Sequence, residues 1–267
     1  MISSTEIHNL YTKIHQPNEI EILITEAEKG DINIELFDAL CRAISVLQVS
    51  HLEGFMKDFL KALIRDLNQH LDFVDMPIGI KTTYVKSFCL KDGNGKYNQK
   101  QIERLKSKFI EFPIQIESEP FFYHKENKNP NSKLVHTIFE NLGIKNLFSY
   151  IKDSKVDVVF EDDQNATDDI IKKLNTQIEA GVNAFPYTTD LNEFDFNKSD
   201  INDSTKTIYE EFLDEVNGLR HKIVHGNIIE NQSSIHEIKR INQNILIFKL
   251  SVILIGTAVI TEKIGST

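Results

Sequence analysis

Apolar residues recur at helical intervals in three long segments of the chain, and period-two alternation is rare. Between residues 34 and 74, Phe37, Leu40, Ile44 and Leu47 follow in steps of three and four, and Phe55, Phe59, Leu63 and Leu67 resume the same stripe two turns later. No proline falls in this stretch and Gly54 is its only glycine, so one long helix is expected, with Gly54 the place where it would break. A second stripe, Ile208, Phe212, Val216, Leu219 and Ile223, runs from an expected N-cap at Ser204 to a stop at Gly226. The third segment, residues 235–264, is the most apolar. Lys249 divides its longest run, Ile245 to Gly256, and the uninterrupted part is shorter than the ~18–20 residues a bilayer requires. A helix buried by its neighbours, not a membrane span, is predicted there.

Weaker patterns lie between. Ile20 to Ile24 reads as a short helix closing at Gly30. Thr82-Thr83-Tyr84-Val85 is strand-like and sits between two turn signals. Residues 98–110 read as a basic helix carrying Lys100, Arg104, Lys106 and Lys108. Ser132 and Gly143 bracket a helix over 133–142. Residues 153–203 are acidic and irregular apart from a helix over about 167–180. They read as a solvated surface insertion or partner-facing lobe. Long amphipathic helices must cover one another's apolar faces, so the fold class expected is an all-α helical bundle. One domain over 1–267 is expected, with its core at about 34–74, 133–152 and 204–264 and irregular insertions at about 75–132 and 153–203.

Composition narrows the function. The 267 residues carry 30 Lys plus Arg against 40 Asp plus Glu, a formal charge of −10. Such a chain is not a general polyanion binder, and a nucleic-acid site in it must be a local basic pocket. Cys41 and Cys89 are the only cysteines, too few for a disulfide framework or a four-thiolate zinc site. The start, Met1 to Glu6, lacks the basic flank and apolar run of a signal peptide. A reducing, cytoplasmic setting without membrane contact is expected.

The chemistry concentrates in Gly218-Leu219-Arg220-His221-Lys222-Ile223-Val224-His225-Gly226-Asn227. Two histidines and two other cations meet at the end of a helix. Unpaired carbonyls there carry partial negative charge and favour an imidazolium, and a group that gains and loses protons near neutral pH suits acid–base catalysis. Arg220 is a permanent cation whose fork matches phosphate oxygens. It lies about 140° around the axis from His225, so the two share no narrow face; two copies about a two-fold axis would build a joint pocket. His221 and His225 also have the i, i+4 spacing of zinc ligands. No H-E-x-x-H glutamate and no nearby Cys or Asp completes a set, so no metal is expected.

This segment resembles the Arg-x4-His signature of HEPN (higher eukaryotes and prokaryotes nucleotide-binding) domains, in the "LRNxIxHGN" form of the RiboL-PSP-HEPN-like branch. His51-Leu52-Glu53-Gly54-Phe55-Met56-Lys57 is similar to that branch's "H-x-E-G-[aromatic]-x-K" pattern, and Asn129 to Ser132 followed by Ile138 to Ile144 is similar to its "N-x-N-S…I-x-x-x-L-G-I" segment. His221 stands where the branch often has Asn, and the span from Gly143 to Arg220 is longer than usual. The resemblance implies an endoribonuclease that needs no metal and no cofactor. A ribose 2′-OH attacks the adjacent phosphorus at a site shared by two protomers, leaving a 2′,3′-cyclic phosphate and a 5′-OH. It casts His225 as the proton-transfer residue, Arg220 as the stabiliser of transition-state charge and His221 as an orienting or assisting group. Glu53, Lys222 and Asn227 would support them. It further implies a homodimer, an RNA substrate, and a prokaryotic defence or toxin–antitoxin setting in which an antitoxin or another defence-system protein is a partner. The alternative within the same family is a non-catalytic HEPN module that binds nucleotide, RNA or protein.

Overall fold

The computed structural model describes residues 4–29, 31–112, 114–122, 131–197, 206–226 and 233–264. Among them are eleven α-helices: α1 (Glu6–Ile14), α2 (Glu19–Ala27), α3 (Ile34–His70), α4 (Ile78–Ser87), α5 (Gln99–Glu111), α6 (Glu119–Phe122), α7 (Ser132–Asn141), α8 (Phe148–Ile151), α9 (Gln164–Gly181), α10 (Ile208–Val224) and α11 (Ile235–Ile264). An isolated bridge between Lys91 and Tyr97 is the only β pairing among the described residues. The chain is all-α, as the periodicity requires.

α3 is the axis of the bundle. Its 37 residues rise about 55 Å, and α1, α2, α10 and α11 all lie on it. Asn33 caps it by accepting from the Leu36 N–H at 2.7 Å. The helix runs unbroken through Gly54. α11 is buried on more than one side because α3, α9, α1 and α2 each cover part of it. That explains an apolar surface all round: by length and composition α11 would cross a membrane, yet 78% of its most apolar window is buried inside the fold. α11 meets α3 closely at Gly256, where a Cβ would stand 2.5 Å from the Phe59 ring. The main core draws on most of the elements; Ile20, Ile24, Cys41, Ile44 and Ile238 form a smaller cluster where α2, α3 and α11 begin.

One buried carboxylate ties the chain's start to its middle. Asp66 is fully buried on α3 and accepts from the Glu6 N–H (2.7 Å), the Ile7 N–H (3.0 Å) and the Tyr187 hydroxyl (2.7 Å). The first two are free N–H groups of α1, so the anion sits at the positive end of that helix. Burial, with the Asp66 charge beside it, pushes the Tyr187 hydroxyl well above its usual range.

Several expectations need correction. Residues 82–85 are not a strand: they belong to α4, whose Ile80, Tyr84 and Val85 are buried at helical spacing, so packing overrides their β propensity. α4 reaches the end of α7 through paired glycines. A Cβ on Gly79 would lie 2.5 Å from the Gly143 Cα, and Gly143 takes φ +84 to end α7. Asn131, not Ser132, caps α7 by accepting from the Leu134 N–H; Ser132 is instead bound to Asp214. The acidic stretch is not a solvated loop. α9 begins at Gln164 behind the Asp163 cap, and Leu174, Ile178, Val182, Tyr187, Phe194 and Phe196 all enter the main core. The expected caps at Gly30 and Ser204 lie outside the described residues.

Candidate active site

α10 starts at a closed capping box. The Thr207 hydroxyl accepts from the Glu210 N–H, and the Glu210 carboxylate accepts from the Thr207 N–H at 2.7 Å. Tyr209, Phe212, Leu213 and Val216 bury its inner side, whereas Ile208 is 44% exposed, so the buried stripe is rotated from the one the sequence suggested. Asp214 locks α10 to α7. It accepts from the Ser132 N–H at 2.9 Å and the Ser132 hydroxyl at 3.0 Å, and pairs with Lys206 at 2.6 Å. Burial works to raise the Asp214 carboxyl, but the bonds from Lys206 and Ser132 outweigh it and hold the group below the usual range. The helix carrying the candidate residues is thus fixed at its beginning and middle, and its far end is left open.

At that end, His221 and Lys222 occupy the last turn, Arg220 immediately precedes it and His225 is the C-cap. The His225 N–H donates to the His221 and Ile223 carbonyls, and Gly226 follows in the left-handed conformation at φ +69. This turn brings the two histidines together: the ring centroids of His221 and His225 are 4.2 Å apart at 55°. Both are exposed, as is Lys222. Arg220 is half-buried. It continues the Tyr209, Leu213 and Val216 stripe in steps of three and four, and its Nε is buried with no acceptor among the described residues. No carboxylate pairs with Arg220 there. Arg220 and the histidine pair therefore leave the helix on different sides, as the spacing predicted.

The supporting residues separate. Lys222 lines a groove of ≈590 Å³ between α10 and the start of α11, with Phe212, Leu219, Arg240 and Asn244. Glu53 pairs with Lys57 at 2.6 Å, and that lysine lies over the Phe122 ring at 5.2 Å. This is the ordinary i, i+4 bridge of an exposed helix face. His51 pairs with Glu19 of α2 at 2.9 Å. Asn227 lies outside the described residues, as do Asn129 and Pro130. Sequence reading missed Arg240 and Asn244. They belong to the polar opening of α11, where His236, Glu237, Lys239, Asn242 and Gln243 carry the same signal and nothing in the sequence singles them out. Among the described residues no three His, Cys, Asp or Glu side chains gather closely enough to hold a metal ion.

Chemically, the α10 end offers two imidazoles in contact and a guanidinium within one turn, on a chain that is acidic overall. Each imidazole carries one donor and one acceptor nitrogen when neutral, and a cation beside them can stabilise added negative charge on a phosphate. No curated protein and no solved structure matches the chain. The model of one family, RiboL-PSP-HEPN, matches residues 13–250, which span α2 to the first half of α11 and include the whole Arg220–His225 segment. The chain belongs to the RiboL-PSP-HEPN family.

Proposed function

We propose that the protein is a metal-independent endoribonuclease that works as a homodimer in the cytoplasm, cleaving RNA at a site shared by the α10 ends of two protomers. The observation that carries this reading is the exposed His221–His225 ring pair at 4.2 Å, closing the turn that also bears Arg220. The substrate's own 2′-OH is the nucleophile. His225 moves the proton between that hydroxyl and the 5′ leaving oxygen, His221 orients it or shares the load, and Arg220 opposes the charge that builds on the phosphorane oxygens. Because Arg220 and His225 diverge around the helix, the cation acting on a given phosphate comes from the second copy. Val224, an apolar side chain 51% exposed beside His225, supplies surface for that copy. A prokaryotic defence or toxin–antitoxin role, with an antitoxin or other protein partner, belongs to the same proposal.

The test is cleavage of single-stranded RNA by purified protein in chelator, with end-group analysis and the mass in solution measured together. Products bearing 2′,3′-cyclic phosphate and 5′-OH from a dimer are expected. A strictly monomeric protein, or cleavage abolished by chelator, overturns the mechanism. One observation favours a second reading. Arg220 is half-buried with Nε inside, as a packing residue would be, which suits a binding or protein-interaction module. That reading predicts that Arg220→Ala lowers stability and leaves no cleavage to lose.

A further inference from the structure

A second concave site lies away from the α10 end, enclosed by α1, the connection to α2, α3 and α11, with a volume of ≈380 Å³. Leu10, Ile14 and Phe55 give it an apolar lining, and Lys249 of α11 reaches into it, its Nζ 5.8 Å from the Phe55 ring centroid. Lys249 is the only charged residue between Arg240 and Glu262. The two carboxylates of this cavity are already engaged by other partners: Asp58 with Lys13 at 2.8 Å and Glu19 with His51 at 2.9 Å. The Lys249 ammonium therefore has no counter-ion among the described residues, although burial penalises its charge and pushes it down to about 8.

Gly54 is the independent observation. It faces the same cavity from the interior of α3, where glycine is a weak helix former. Close packing explains Gly256 and Gly79, whose added Cβ atoms would come within 2.5 Å of Phe59 and Gly143. It does not explain Gly54, where an added Cβ meets nothing within 4 Å. No turn, cap or neighbour in the fold requires a glycine there. What its missing side chain does is keep the cavity wall low opposite an uncompensated ammonium.

We propose that this cavity is a binding site for a small organic anion, whose phosphate, sulfonate or carboxylate group pairs with Lys249 while its apolar body lies on Phe55, Leu10 and Ile14. The proposal concerns a different surface from the α10 end and does not depend on the nuclease reading.

The probe is 8-anilinonaphthalene-1-sulfonate, an apolar body with one anionic group, titrated into the full-length protein and followed by fluorescence. The chain has no tryptophan to interfere. One saturable site per protomer is expected, displaced competitively by inorganic phosphate or acetate according to which anion the site prefers. Lys249→Met, which keeps the stem and removes the charge, should weaken binding at least tenfold. Gly54→Leu, which fills the cavity with a better helix former, should abolish it with the melting temperature unchanged or raised. His221→Ala should bind as the parent does. No saturable binding to the parent protein, or parent-level binding by either Lys249→Met or Gly54→Leu, overturns the proposal.

Discussion

α10 and α11 each carry cations on a long helix, and the two helices put them to opposite use. α10 is buried on one side, is fixed at its start by the Thr207 box and in its middle by Asp214, and ends in the open with Arg220, His221, Lys222 and His225 within its last five residues and cap. α11 is covered by several neighbours and, through its buried middle, admits a single charge, Lys249. Charge at a solvated helix end costs little and remains free to act on a ligand. Charge in a dry core costs stability unless something compensates it. Substitutions on the two helices should therefore separate cleanly into losses of chemistry and changes of stability.

The largest effect is expected at the open end. His225→Ala and Arg220→Ala should each lower the rate of RNA cleavage by about 10²–10⁴-fold, the range for removing a general acid–base group or a preorganised charge. Surface substitutions away from the core usually stay within about 0.5 kcal/mol, so His225→Ala should melt with the parent. Arg220→Ala, half-buried, is expected to cost somewhat more. Parent-level cleavage by either variant would remove the distinction between a working end and a structural interior.

Next comes the buried anchor. Asp66→Ala leaves the Ile7 N–H and the Tyr187 hydroxyl without an acceptor inside the fold and removes an anion from the start of α1. Each orphaned buried donor costs about 1–3 kcal/mol, so a loss of about 3 kcal/mol is expected from the shift in urea midpoint at constant slope. Cleavage per folded molecule should not change. Gly256→Ala tests the same interior more gently. The new methyl meets the Phe59 ring, and overpacking of this kind costs about 1–3 kcal/mol. A neutral result would mean that the α3–α11 crossing can relax.

Much of this was legible in the residues. The three long helices fell where period 3.6 placed them, because each carries an apolar stripe longer than any competing signal. Thr82 to Val85 misled because four β-prone residues say less than Ile80 and Tyr84, whose burial spacing shows only once α5, α6 and α7 supply neighbours. The acidic stretch misled for a related reason. Most of its carboxylates face outward and dominate composition, Asp157 being half-buried, whereas Tyr187, Phe194 and Phe196 enter the core at spacings set by no regular helix. At the end of α10, the cap position of His225 and the stop at Gly226 were readable from the spacing; the buried stripe was not, because Tyr209, Leu213 and Val216 pack inward while Ile208 stays exposed. Lys222's place in a groove with Arg240 and Asn244 was not, since it depends on how α11 returns past α10.

The smallest effect, opposite in sign, is expected at Lys249. Unfolded, its ammonium keeps its proton to about 10.5; folded, burial lets the proton go near 8. Between those values the unfolded chain binds the extra proton, so stability should climb as pH rises from about 8 to 10.5, while below 8 the full penalty stands. A shift of this size corresponds to about 3 kcal/mol. Part of it is offset by contact with the Phe55 ring and by residual hydration of a side chain that is not wholly enclosed. Lys249→Met should therefore stabilise the protein by about 1–2 kcal/mol at pH 7 and flatten the alkaline climb, read from melts across pH. A stabilised Lys249→Met with parent-level RNA cleavage would show that this cation is not required at the α10 end. A destabilised one would mean that the ammonium has a compensating partner after all, and the contrast between the two helices would lose its physical basis.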